Sequence, residues 1–203
     1  MRLKTSVWAQ GTGLLAAAWF AGGALAAEEP RYTYAQIAYA NVDFDDLNND
    51  GDFVNAGASL AVHDKVHVFA DYAAGSVDVS NFDVDVTNLD AGIGIDLPLS
   101  PTVDVVVDIA YLWTEFDAGN GGNNSVDENG FGARAGVRAM VAPNFELNGG
   151  VSYADYEDSD DDTALFGGLV YNFTDAVAVM AGASVGDNIT TYELGVRVYF
   201  GDK

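Results

Sequence analysis

The chain has 203 residues, 31 acidic against 8 basic, a formal net charge of −23, and no cysteine. That balance excludes nucleic acid as a partner, because phosphate binding needs basic patches. It also rules out disulfides and leaves stability to packing and backbone hydrogen bonds.

The first 26 residues read as a cleaved export signal. Arg2 and Lys4 form a basic start, Gly11 to Ala21 is a short apolar stretch, and Ala24-Leu25-Ala26 matches a small-residue cleavage site. The stretch is too short and too glycine-broken for an anchor helix. Residues 27–203 then form one domain with 6 basic against 31 acidic residues. No later apolar run reaches the length of about 18 residues that a membrane helix needs. Insertion into a bilayer therefore requires a closed barrel, the other architecture that satisfies every backbone hydrogen bond.

Period-2 alternation between turn signals predicts ten strands, near 31–42, 53–62, 66–75, 86–97, 103–114, 130–141, 145–154, 164–171, 176–185 and 190–200. Alternate connections are short: His63-Asp64-Lys65, Pro98 to Pro101, Ala142-Pro143-Asn144 and Asn172 to Asp175. The others are the acidic segments 43–52, 76–86, 115–129, 155–163 and 186–190, which hold 19 of the 31 acids and no Lys or Arg. Long loops at one end and tight turns at the other predict an all-β, up-and-down antiparallel transmembrane barrel, with eight strands as the alternative should a hairpin fail.

The stripe Val103, Val105, Val107, Ile109, Tyr111, Trp113 is unbroken, with Asp104 and Asp108 on the opposite face. A soluble barrel with the apolar face inside would show the same alternation. Two features favour the membrane form: the polar face is rich in Gly, Asn, Ser, Asp and Arg, and the stripes end in Tyr72, Trp113, Phe131, Phe145, Tyr192 and Phe200, as aromatic girdles would.

The expected lumen-facing charges are the acids Asp71, Asp90, Asp96, Asp104, Asp108, Glu146 and Glu193 with the bases Arg134, Arg138 and Arg197. In an antiparallel hairpin, opposed residues have a constant index sum. Asp108 with Arg134 and Asp104 with Arg138 both give 242, which predicts two stacked ion pairs in the lumen. They serve either as a polar plug or as the constriction of a narrow cation-preferring channel.

In the first acidic segment, Asp46, Asn48, Asp50 and Asp52 follow the opening of a D-x-[DN]-x-[DN]-G calcium loop, with Gly51 next to the last two. The closing bidentate Glu is missing, because residue 57 is Gly, so a weak Ca2+ site competes with a plain Asn/Asp/Gly turn. No other cofactor is expected. The acidic loops would attract divalent or monovalent cations, including those that bridge to outer-membrane lipid phosphates. An enzyme is not expected: there is no Cys, and the two histidines, His63 and His67, fall at the end opposite the acidic loops.

The Tyr-rich first strand (Tyr32 to Tyr39) and the hairpin units resemble small outer-membrane barrels of the OmpX and opacity-protein kind. The units His67 to Tyr72 and Ala142-Pro143-Asn144-Phe145 resemble most closely the diffusible-signal-regulated barrel family of Gram-negative bacteria. The resemblance implies a cell-envelope protein of adhesion, stress or quorum-linked type, inserted by the outer-membrane assembly machinery. Such barrels usually end on an aromatic residue, whereas Phe200 here is followed by Gly201-Asp202-Lys203.

Overall fold

The computed structural model describes residues 29–44, 49–79, 82–118, 125–157, 159, 161–187 and 189–201. The signal-like segment, Asp46 and Asn48 lie outside these residues.

Ten antiparallel strands close into a barrel: β1 (Tyr34–Phe44), β2 (Asn49–His63), β3 (Val66–Val79), β4 (Phe82–Ser100), β5 (Val103–Asp117), β6 (Ser125–Ala142), β7 (Phe145–Tyr156), β8 (Asp162–Asn172), β9 (Val177–Val185) and β10 (Ile189–Tyr199). Each strand pairs with its sequence neighbours, and β1 closes on β10 from Tyr34↔Tyr199 to Phe44↔Ile189. Closure leaves no edge strand with unpaired backbone groups.

At the tight-turn end the strands stop at turn residues, although β4 runs through Pro98 to Ser100, where the register shifts. At the other end they run on. β4 has 19 residues and β6 has 18, against about 9–11 needed to cross a bilayer, so the barrel wall rises well beyond the membrane. Acidic stretches expected as loops are largely strand: Asp43 opposes Asp50, Asp85 opposes Asp117, and Glu115 opposes Asp127. The ladder persists because Val42, Phe44, Phe53, Val77, Val84 and Val86 keep the period-2 pattern between the acids and bury themselves inside. Counting charge identified these segments as loops; the apolar residues between the charges decided that they are strand.

One pleat thus carries two opposite polarities. In the membrane-sized part, Ile37, Tyr39, Ile93, Ile109, Tyr111 and Leu194 point outward and are 45–65 % exposed, while Asp96, Asp108, Glu146 and Arg197 point inward and are buried. In the projecting part, Asp43, Asp52, Asp85, Asp117 and Asp127 point outward, and the inside is the apolar cluster around Phe44, Phe53 and Val86, with Phe116 packed against it. The lower part is built for lipid and the upper part for water.

β1 starts at Tyr34 and not at residue 31, because residues 31–33 turn across the tight-turn mouth of the barrel. Tyr32 stacks on His67 with ring centroids 5.1 Å apart, and Arg31 lies 3.7 Å over the Tyr199 ring and donates to the Asp175 carbonyl. At the other terminus the Phe200 amide donates to Thr33 O at 3.3 Å, which ties the chain ends together.

Candidate functional site

The lumen holds a continuous charged network on the β3–β7 side. His67, on β3, places Nδ1 3.0 and 3.1 Å from the two carboxylate oxygens of Asp96 and Nε2 3.3 Å from Asp108. Asp108 accepts from Arg134 Nε at 2.8 Å and lies 2.7 Å from Nη2. The register opposes Asp108 to Arg134, so the pair sits where the index sum puts it. Gly94 makes room for it, since a Cβ there would overlap both the Asp108 carboxylate and the His67 ring. The chain Asp96–His67–Asp108–Arg134 spans three hairpins.

The second expected pair does not form. Asp104 and Arg138 are directly opposed in the ladder, yet Arg138 forks onto Glu146, Nε to Oε1 at 2.7 Å and Nη2 to Oε2 at 2.9 Å. Asp104 instead accepts from the Tyr32 hydroxyl at 2.8 Å. Glu146 is 1 % exposed and needs a bidentate partner, which a fork across to β7 provides. Index arithmetic within one hairpin sees neither β7 nor the segment before β1.

The remaining charges fall into two groups. Arg197 donates to Gln36 Oε1 at 2.8 and 3.1 Å and stacks 4.0 Å from the centre of the Tyr34 ring. Asp71 and Asp90 oppose each other across β3–β4, and both line a central chamber with Arg134, Glu193, Asn55 and Asn88. Below it, a larger chamber of about 70 Å³ is lined by Tyr32, Gln36, His67, Asp108, Arg138 and Arg197, among others. The missed residues are His67 and Tyr32. His67 has inward parity but was read with the turn beside it, and Tyr32, read as part of the first strand, carries no charge and was not singled out.

The two ends of the lumen are lined differently. Inside the projecting part, on β10 and β1–β5, lies the apolar cluster, with Val42 fully buried and Phe53 1 % exposed. A second cluster, Phe69, Ala110, Leu112, Ala154 and Tyr156, lies within the wall, and a third groups Val170, Ala178, Met180 and Tyr199, with Tyr34 packed against it. The inward face is therefore polar only in part, and these apolar clusters were not among the residues expected in the lumen. At the tight-turn mouth, Arg138 Nη2 donates to Arg31 O at 3.1 Å and its guanidinium lies 4.4 Å from the Tyr32 ring centre.

Of the calcium-loop pattern, Asp50 and Asp52 are described. Both lie on the outward face of β2, and Asp52 accepts from the Tyr39 hydroxyl and from Asn41 Nδ2 at 3.1 Å. Among the described residues no three His, Cys, Asp or Glu side chains converge closely enough to hold a metal ion.

No curated protein matches this chain. Among solved structures, the β domain of the Bordetella autotransporter Brka has a TM-score of 0.50 at 12 % identity, covering 83 % of this chain and 99 % of that one. The KdgM porin gives 0.45 at 12 % identity (82 % and 99 % covered), and Neisserial surface protein A gives 0.42 at 17 % identity (83 % and 96 % covered). At such identities the likeness shows the fold alone. The model of the outer membrane protein beta-barrel domain matches residues 12–173, and with the closed ten-stranded barrel this shows that the chain belongs to that outer-membrane family.

Proposed function

We propose that this protein is a non-conducting, non-enzymatic surface protein of a Gram-negative outer membrane, exported by its N-terminal signal. Its barrel is a membrane anchor that carries a rigid anionic head. The observation that supports this best is the apolar cluster lining the inside of the projecting part on β10 and β1–β5: a wall of Phe44, Phe53, Val77, Val84, Val86 and Ile189 offers a permeating ion nothing to replace its hydration shell.

The head's outward acids are the working surface. They concentrate cations near the lipid phosphates, with the 46–52 segment as a candidate Ca2+ ligand set, and they repel anionic partners. Against catalysis, both ring nitrogens of His67 are taken up by Asp96 and Asp108, which leaves neither free to act as a general base.

The test is conductance of the refolded chain in a planar bilayer under a salt gradient. Silence from protein shown to be folded is the expected result. Reproducible steps with a cation-selective reversal potential would overturn it and establish the narrow cation channel, for which the lumenal excess of carboxylates speaks. The variant Phe53→Gly, which hollows the plug, is expected to raise the frequency of leak events.

A further inference from the structure

The ladder of the barrel begins at Tyr34↔Tyr199, so the segment just before it contributes no strand pairing. That segment is nevertheless folded in. Pro30 is buried, and Arg31, Tyr32 and Thr33 are half-buried. Thr33 is its fixed point. The Thr33 carbonyl accepts from the Phe200 amide at 3.3 Å, and its hydroxyl oxygen accepts from the Ala61 amide at 3.1 Å.

Ahead of Thr33 the contacts divide by place. Arg31 reaches sideways, over the Tyr199 ring at 3.7 Å and to the Asp175 carbonyl in the turn between β8 and β9. Tyr32 reaches inward. Its ring lies 5.1 Å from the His67 ring and 4.4 Å from the Arg138 guanidinium, and its hydroxyl donates to Asp104 at 2.8 Å. Arg138 also donates to the Arg31 carbonyl at 3.1 Å. Tyr32 lines the lower chamber of about 70 Å³, together with Val106 and Asp108, whereas Arg31 does not. On its other flank the segment borders a groove of about 190 Å³, lined by Glu29, Arg31, Asn144, Asn172 and Phe173, among others. A segment held by a few polar and stacking contacts, outside the ladder and with open space on one flank, opens far more readily than the barrel beneath it.

We propose that residues 30–32 form a latch over the tight-turn mouth, hinged at Thr33, with Tyr32 the bolt seated in the lower chamber and Arg31 the catch that keeps it there. Both side-chain contacts of Arg31 lie outside the chamber, so it acts on the interior by holding Tyr32 in place. When the latch swings out, Asp104, His67 and Arg138 lose their cover and solvent enters from that end. The pairing of β1 with β2 and β10 stays intact, because it starts beyond the hinge. The latch governs entry at one mouth and is independent of whether the barrel conducts.

The chain has no cysteine, so a single reporter thiol tests this. Val106→Cys is a near-isosteric change at an inward residue, 8 % exposed, in the lower chamber. The full mature chain carrying it is refolded in micelles, and its reaction with iodoacetamide is followed by mass. With the latch intact the thiol is expected to react slowly, and a thiol at the exposed turn, Ser100→Cys, quickly. Adding Arg31→Ala removes a ring contact and a hydrogen bond and should speed the Val106→Cys reaction roughly tenfold. Adding Tyr32→Ala should speed it further, because the bolt itself is gone. Arg31→Lys, a cation still able to lie over Tyr199, should stay close to the latched rate. Equal rates with and without Arg31→Ala in folded barrels would overturn the proposal, as would a latched thiol that already reacts as fast as Ser100→Cys. So would an Arg31→Ala barrel that loses its heat-modifiable mobility as labelling rises, since the segment would then be part of the fold and not a latch upon it.

Discussion

The lower and upper parts of this barrel share one backbone and one alternation, yet they solve opposite problems. In the lower part lipid receives Ile93, Ile109 and Leu194, and charge is turned inward where Asp108, Arg134 and His67 satisfy one another. In the upper part water receives Asp52, Asp85 and Asp117, and Phe44, Phe53 and Val86 turn inward. The β-ladder is indifferent to which face is apolar; the solvent outside decides. A strand crossing from lipid to water must therefore exchange the polarity of its two faces without changing phase, and β1 does so between Tyr39 and Asp43. The change of sign marks the membrane surface, and Tyr39, Tyr72, Tyr111, Phe131 and Tyr192, 47–69 % exposed, lie close to it.

The sharpest way to break this contrast is to give one part the other's interior. Phe53→Asp puts a lone carboxylate into the dry upper cluster and is expected to cost more than about 5 kcal/mol, read as loss of the folded barrel's heat-modifiable mobility on gels. In the lower part the equivalent injury is an orphaned charge. Arg134→Leu leaves Asp108 buried with only His67 and should cost about 3–5 kcal/mol in urea unfolding followed by tryptophan fluorescence. The paired change Arg134→Leu/Asp108→Leu should recover much of that loss, which a simple packing defect would not do.

On the outer surface the contrast is sharpened by moving one substitution across the boundary. Ile109→Arg, facing lipid at mid-barrel, should destabilise by about 2–4 kcal/mol. Asp85→Arg, facing water on the projecting wall, should change stability by no more than about 0.5 kcal/mol. Equal costs at the two positions in the same unfolding assay would show that the upper wall is embedded in lipid as well.

Much of this was legible in the sequence because alternation records parity. Strand number, order and direction follow from where turns interrupt it, and the stripe from Val103 to Trp113 could face only an apolar medium or an apolar core. Parity also carried the opposition of Asp108 and Arg134, since register within one hairpin is arithmetic. It could not carry partner choice. Arg138 took Glu146, diagonal to it across the next connection in the β6–β7 ladder, over the directly opposed Asp104, and arithmetic within one hairpin cannot rank the two neighbours.

The acidic segments show the same limit from the other side: their charge predicted exposure, which is right, and loop, which is mostly wrong, because exposure belongs to one face of a strand and loop to both. The sequence by itself determined the strands, their order and which residues share a face, because those depend on local periodicity and turn chemistry. Only the tertiary structure decided what stands on the far side of the lumen: the Tyr32 stack, the His67 bridge to Asp108, the apolar upper cluster and the chamber that brings Arg134 and Glu193 to Asp71 and Asp90. Each joins residues from several strands or from beyond the ladder, and curvature and closure, which no linear pattern encodes, bring them together.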